Sequence, residues 1–335
     1  MRSKDEGRTW TFPRVLFDGP LDDRDSGVIE TSRGTLLVTS FSGSGYEKRL
    51  TIAEKMGADN PNRWPDEQLK RWRAAHARIS GPEREMELRS FVLRSADGGR
   101  TWSAPRRCPV HSPHGPIELK DGRLLYAGKL FWQGHSDDSL GYIGVCESVD
   151  DGVSWRWLAT IPSRPGDELS GYHELHAVET EEGTIVTHIR NHNPRNEREI
   201  LQSESRDGGR SWSVPRPTGV WGFPSHLLRL RDGRLVMTYG HRRQPLGIQA
   251  RVSTDHGKTW SDPIFLWRDA TSSDIGYPST VELDDGSLLT VWYELMGSVA
   301  EDFSHYLAKG RDEAWFKMTR KLRRAVLRQT RWRLG

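Results

Sequence analysis

Residues 95–102 read SADGGRTW, and the phrase returns as SKDEGRTW (3–10), SVDDGVSW (148–155), SRDGGRSW (205–212) and STDHGKTW (253–260). Each copy places a serine, an aspartate two residues on, a glycine two beyond that and a tryptophan three further. This is the spacing of a tight turn. Glycine adopts the positive φ a turn requires, and aspartate accepts backbone N–H groups inside it. Tryptophan then offers a large apolar surface to a neighbouring unit. The aspartates Asp97, Asp151, Asp207 and Asp255 are therefore read as scaffold. The runs ahead of three copies, SFVLR, YIGVCE and IQARV, are strand-like.

A second phrase alternates with the first: an apolar run, a glycine, then another apolar run. It occurs at 27–41, 116–128, 176–190, 227–240 and 279–294. Each copy reads as a hairpin. One hairpin plus one aspartate phrase makes about four strands, and four-stranded units recurring in series mean a β-propeller. Five repeats are counted, in an all-β single domain spanning 1–335. A two-sheet β-sandwich is the alternative. The chain opens on an aspartate phrase, and AVLRQTRWRLG (325–335) looks like the third strand that phrase lacks. The last blade is thus expected to be closed by both termini. Residues 46–88 are polar with helical patches and read as an insertion in the first blade, beside the central funnel. Residues 311–324 read as a basic insertion before the closing strand, a solvated helix rather than a membrane or nucleic-acid patch.

The 335 residues are only 35% apolar, but 14 tryptophans add buried area. Charge is balanced at 49 basic and 46 acidic residues, so no nucleic-acid partner is expected. No run approaches about 18 apolar residues, so no membrane partner is expected either. The two cysteines, Cys108 and Cys146, do not make a disulfide framework. The opening MRSKDEGRTW lacks the apolar core of a signal peptide, giving the expectation of a cytoplasmic protein. A trimmed secreted form would read the same way.

The pattern S-x-D-x-G-x-[ST]-W resembles the Asp-box of the sialidase (neuraminidase) superfamily of BNR-repeat proteins. The resemblance implies a propeller, six-bladed in known sialidases, with Asp-boxes on the rim and the chemistry in the central funnel. Polar residues just ahead of each hairpin are therefore the site candidates. Arg24 stands ten before Gly34, Glu174 nine before Gly183, Tyr277 nine before Gly286, and Arg190 seven after Gly183. His114 and His226 hold the matching approaches in the other two blades. A sialic acid carries a carboxylate on its anomeric carbon, which guanidiniums bind through both oxygens. That charge repels a carboxylate nucleophile, whereas a phenol attacks while neutral if a base takes its proton.

The resemblance extends residue by residue. RDSGVIETSRGTLL resembles the segment of the first triad arginine, placing Arg24 there, although the Ile-Pro of the family is absent. HELHAVETEEGTIVTHIR is similar to the segment of the assisting glutamate and second arginine, implying Glu174 and Arg190. YPSTVELDDGSLLTVWYE resembles the nucleophile segment, implying Tyr277. The third arginine falls among Arg242, Arg243 and Arg251, with Arg242 favoured. The acid/base aspartate falls within the long insertion, which offers Asp59 and Asp66. His173, His176, Asp274 and His241 are further candidate funnel liners, His173 as a substrate contact. Their scatter argues against a metal site, and no cofactor is expected. The implied activity is exo-α-sialidase. The alternatives are a hydrolase or lyase for another acidic sugar, such as a uronic acid, using a histidine acid/base, and a carbohydrate-binding propeller without turnover.

Overall fold

The computed structural model describes residues 1–60, 63–131, 141–296 and 324–335. Its strands form five antiparallel sheets in chain order, the blades of a β-propeller. Blade I holds β1 (Asp22–Glu30), β2 (Leu36–Gly43), β3 (Arg89–Ser95) and β4 (Arg106–Cys108). Blade II holds β5 (Val110–His111), β6 (Ile117–Glu118), β7 (Leu124–Leu130), β8 (Ile143–Ser148) and β9 (Arg156–Thr160), with β5 and β6 both paired to β7. Blade III is β10 (Tyr172–Glu179), β11 (Ile185–Asn191), β12 (Glu199–Ser205) and β13 (Arg216–Trp221). Blade IV is β14 (Ser225–Arg229), β15 (Leu235–His241), β16 (Gly247–Ser253) and β17 (Ile264–Trp267). Among the described residues, blade V has three strands, β18 (Ile275–Glu282), β19 (Leu288–Met296) and β20 (Arg324–Trp332).

Strands alternate their side chains between two faces, and here both faces of most strands meet a neighbouring blade. Leu125, Val145, Leu175, Ala177 and Ile189 join blades II and III. Val178, Val186, Leu227, Met237 and Tyr239 join III and IV. Leu37, Val92, Leu124 and Tyr126 join I and II, together with Cys108 and Cys146, which are free thiols 3.6 Å apart.

Each aspartate phrase folds as its spacing demands. In the copy at 205–212, Ser205 Oγ donates to Asp207 (2.9 Å), Gly209 N–H donates to Ser205 Oγ (2.9 Å), Ser211 N–H donates to Asp207 (2.9 Å) and the Trp212 indole donates to Gly209 O (2.9 Å). The copy at 148–155 requires a correction. Its turn carboxylate is Asp150, bonded to Ser148 at 2.8 Å, not Asp151. Asp151 instead reaches blade I, where it accepts from Thr31 (2.9 Å), Thr35 (2.6 Å) and Arg94 (2.6 Å).

The insertion at 46–88 is helical, as expected: α1 (Gly45–Lys55), α2 (Asp66–His76) and α3 (Gly81–Glu87). It has its own small core of Leu50, Ala53 and Leu69 against Trp64 and Trp72. The two chain ends meet at blade V. β20 pairs with β19 along its whole length, Gln329 donates to Gly7 O (2.6 Å), and the Trp10 indole donates to Gln329 (3.0 Å). The expected basic insertion at 311–324 lies outside the described residues, except that Arg324 opens β20. Among the described residues, no helix is long and apolar enough to cross a membrane.

At the centre, β1 approaches the segment before β6 so closely that a Cβ on Gly27 would overlap the Gly115 backbone nitrogen. Backbone cannot yield as a side-chain tip does. Gly27→Ala is expected to destabilise the fold by about 1–3 kcal/mol in urea unfolding. Gly81→Ala, which meets no atom within 4 Å, should stay within about 0.5 kcal/mol of the parent.

Candidate active site

Three inner strands open with a break in register. β1 slips between Arg24 and Gly27, β10 between Tyr172 and Leu175, and β18 between Gly276 and Ser279. A bulge re-aims the side chains it contains. Asp25, Glu174 and Tyr277 lie in these three bulges, each nine residues before its hairpin glycine, Gly34, Gly183 or Gly286. Asp25 (φ 48°) and Tyr277 (φ 52°) both occupy the left-handed region. That conformation costs a non-glycine residue about 1 kcal/mol or more, and such strain gathers at functional sites.

The bulges converge on one network. The Tyr277 phenol donates to Glu174 Oε1 at 2.8 Å. Arg190, opposite on β11, donates through Nη1 to both Glu174 oxygens at 2.9 Å and to the Tyr277 oxygen at 3.2 Å. Its Nε donates to His192 (2.8 Å). The guanidiniums of Arg190 and Arg242 lie over the same Phe223 ring, 4.4 and 5.1 Å from its centroid. Arg242 donates to Ile275 O (2.9 Å) and to the Tyr293 oxygen (3.4 Å), and Tyr293 donates to Asp274 (2.5 Å). The floor is a histidine cluster. The His176 and His226 rings stack at 4.5 Å, and His114 lies 5.3 and 5.6 Å from them and 6.4 Å from the Tyr277 ring.

Burial and charge divide the protons of this site. Burial alone would raise the Glu174 carboxyl, but Arg190, then His173 and hydrogen bonds, outweigh it and hold it well below the ordinary range. Burial and the Glu174 charge push the Tyr277 phenol far up. Asp25 goes the other way from Glu174: burial, then the Glu174 charge, raise it to about 6 against the pull of Arg24 and Arg190. Burial keeps the floor histidines neutral, His114 at about 4 against the pull of Glu174, and His226 at about 3 with His114 adding to the effect. Glu174 is thus a carboxylate, Tyr277 a phenol and Asp25 a carboxyl group that titrates near pH 6.

The expected residues divide accordingly. Tyr277, Glu174, Arg190 and Arg242 come together, with His114 and His226 on the floor and His173 edge-on to His192 at 4.6 Å, His192 in turn bonded to Arg190. Arg24 does not join them. Its side chain is 44% exposed and pairs with Asp22 at 2.7 Å. The adjacent residue, Asp25, is the one that enters the funnel. Among the rejected arginines, Arg251 bonds Tyr239 and Ser261, and Arg243 covers Trp221, both away from the phenol. The insertion aspartates point to solvent: Asp59 is exposed, and Asp66 is 78% exposed and paired with Arg63. Asp25 carries the same offset as Glu174 and Tyr277, so a count of nine rather than ten before Gly34 finds it. Among the described residues, no group of three or more His, Cys, Asp or Glu is arranged to hold a metal ion.

The sequence pattern of the BNR repeat-like domain matches residues 46–290. The chain belongs to the BNR repeat-like domain family. Solved structures share the fold of this BNR repeat-like chain. A Dyadobacter fermentans protein of unknown function is 23% identical, with a TM-score of 0.65 over 89% of this chain and 79% of its own. A variant of the NanB sialidase of Streptococcus pneumoniae is 16% identical, with a TM-score of 0.55 over 87% of this chain, which spans only 59% of that longer one. An α-L-arabinanase of Penicillium chrysogenum, solved with arabinobiose, is 14% identical, with a TM-score of 0.50 over 81% and 77%. The scaffold is therefore one that glycoside hydrolases also use. A comparison with curated proteins gives no match.

The raised Asp25 carboxyl has a consequence for stability. Its folded value lies above its unfolded value of 3.8, so the folded state favours the proton. Stability from this group is present below about pH 4 and is lost as pH rises through about 6. Asp25→Asn should therefore be near neutral at pH 4 and stabilising by about 1–3 kcal/mol at pH 8, read from urea unfolding at both pH values.

Proposed function

We propose that this protein is a retaining exo-glycosidase for a terminal acidic sugar of the sialic-acid type. The observation that carries the reading is the buried Tyr277–Glu174 hydrogen bond with Arg190 laid across both groups. A phenol this reluctant to ionise needs its base in contact, and Glu174 is ionised and in contact. Arg190 and Arg242, each within about 5 Å of the Phe223 ring centre, would clamp the substrate carboxylate. As that carboxylate draws on Arg190, Glu174 loses part of the charge that holds its proton affinity down and becomes the stronger base.

In the first step the Tyr277 oxygen bonds to the anomeric carbon while its proton passes to Glu174. The bond to the leaving oxygen breaks as Asp25 gives that oxygen its proton. In the second step Asp25 takes a proton from water, the water oxygen displaces the phenol, and Glu174 returns the proton to Tyr277. Asp25 fills the acid/base role expected of the insertion aspartates. It lines the same cavity of about 770 Å³ as Tyr277 and His114.

A second reading has its own observation. With Arg24 paired to Asp22, two arginines rather than three neighbour the phenol among the described residues, and the neutral His114 ring stands 6.4 Å from it. This favours a less demanding acidic sugar, such as a uronic acid, with His114 as acid/base.

Hydrolysis of a fluorogenic α-sialoside, with uronic-acid oligosaccharides assayed alongside, tests both. The first reading expects sialoside turnover whose kcat/KM falls above about pH 6, as Asp25 loses its proton. Tyr277→Phe should lower kcat at least ~1,000-fold, and Asp25→Asn by roughly 100–10,000-fold with loss of that alkaline limb. Turnover of uronic-acid substrates alone, abolished by His114→Ala, supports the second. Binding without turnover of either class contradicts both.

A further inference from the structure

Each clamp arginine has a companion one step outward. Arg190 lies on β11, and the loop that leaves β11 carries Arg198. Arg242 follows β15, and the next residue is Arg243. An aromatic run joins the inner pair to the outer one. Phe223, which both clamp guanidiniums approach, lies 6.0 Å from Trp221, and the Arg243 guanidinium lies 3.8 Å from the Trp221 ring centroid. Backbone ties Arg198 to the same place. Gly222 N–H donates to Arg198 O at 3.0 Å, and the next residue, Glu199, pairs with Trp221 across β12 and β13. His192 completes the link: it accepts from Arg190 Nε, packs 5.4 Å from Phe223 and feels the Arg198 charge.

The outer pair is short of negative charge. Arg243 is exposed, and among the described residues no carboxylate pairs with it. A guanidinium laid over an indole keeps its N–H edge free for an anion, and the stacking holds its plane still. Arg198 is only 13% exposed. Its Nε is buried and makes no hydrogen bond among the described residues, and its ion pair there, at 3.3 Å, is with Glu197, a side chain 53% exposed. Glu199 is occupied by Gly219 N–H (2.6 Å) and Asn196 (2.8 Å). Burial, then the Arg198 charge, lower the Arg243 guanidinium against the pull of Glu197. Two guanidiniums gathered in partly dry surroundings repel each other unless an anion joins them. The Arg198 backbone is also held at φ 63°, a left-handed conformation that arginine rarely adopts and that gathers at functional sites.

We infer that Arg198 and Arg243 form a second anion subsite outside the clamp, and that the substrate carries a second acidic group, a carboxylate or a sulfate, to fill it. The inference rests on the acidic-sugar reading above, because the clamp must take the first acidic group. It narrows the substrate from any terminal acidic sugar to a polyanionic glycan: adjacent acidic sugars, or an acidic sugar with a sulfated neighbour. The steps from Arg190 to Phe223, Trp221 and Arg243 are 4.4, 6.0 and 3.8 Å, so one carboxylate cannot touch both pairs, whereas two groups on a short oligosaccharide can. A guanidinium binds carboxylate and sulfate oxygens alike, so the pair sets the charge and leaves the choice of group to the measurement.

The test is isothermal titration calorimetry of the intact protein with sulfur-linked sialosides, which are not turned over, at low ionic strength, where exposed charges are least screened. The probes are sialyllactose with one carboxylate, disialyllactose with two, and a sialyllactose that also carries a sulfate. At least one doubly charged probe should bind at least ~10-fold more tightly than the singly charged one. Arg243→Gln, at an exposed position, should remove that gain and leave the singly charged probe within about 2-fold of the parent. Arg198→Gln should do the same, and Arg198→Lys, which keeps the charge, should retain part of the gain. A gain for disialyllactose alone assigns a carboxylate to the subsite, and a gain for the sulfated probe alone assigns a sulfate. Equal binding of all three probes, or a gain that survives Arg243→Gln, overturns the inference and leaves the clamp standing. Failure of the clamp reads differently: Arg190→Gln then leaves binding of the singly charged probe unchanged, and the inference falls with it.

Discussion

A carboxylate taken out of water must be paired, and the Glu174 carboxylate is the charge around which this funnel is arranged. Leaving such a group buried alone costs several kcal/mol, more than a typical domain can spare. Arg190 answers it from the adjacent strand of the same blade, with both oxygens within 2.9 Å of one nitrogen. Tyr277 answers it from blade V, 103 residues along the chain. That second contact holds only if blade IV, between them, stacks at its observed spacing. The propeller and the site are therefore one structural problem, with the rim turns setting the stacking and the bulges aiming the side chains.

The bulges divide labour along the inner strands. Residues after each bulge resume the regular pleat and pack between blades, as Leu175 and Ala177 do. Residues within it leave the pleat and face the axis. This lets three strands built on one repeat present an aspartate, a glutamate and a tyrosine at the same height. Their proton affinities separate because their surroundings differ: a guanidinium on Glu174, and burial against a neighbouring negative charge for Asp25 and Tyr277. Titratable groups pushed apart in this way are the raw material of acid–base chemistry.

Local chemistry was legible in the sequence, and long-range register was not. The Ser–Asp–Gly–Trp phrase is self-contained turn chemistry, so it announced the propeller wherever it occurred. It could not say which blade the copy at 3–10 serves, because that depends on Leu289 and Gln329 far along the chain. Tyr277, Glu174 and Arg190, which the structure brings into contact, could be picked out together because their offsets from the hairpin glycines are fixed by the pleat. Asp25 was passed over for Arg24, one residue earlier, because arginine suited the carboxylate chemistry sought and the bulge makes adjacent residues face opposite ways. In the phrase at 148–155 the serine-to-aspartate spacing picks out Asp150 as the turn carboxylate, while the neighbouring Asp151 points the other way, to blade I.

The central claim is that the Tyr277 oxygen forms a bond to the sugar, and trapping that bond tests it most directly. A fluorinated sialosyl fluoride, which forms the covalent intermediate faster than it is hydrolysed, would be incubated with the protein and the digest read by mass spectrometry. The account predicts a single sugar adduct on the peptide containing Tyr277, lost in Tyr277→Phe. An adduct on Glu174 or Asp25, or full turnover of an acidic glycoside by Tyr277→Phe, would contradict it.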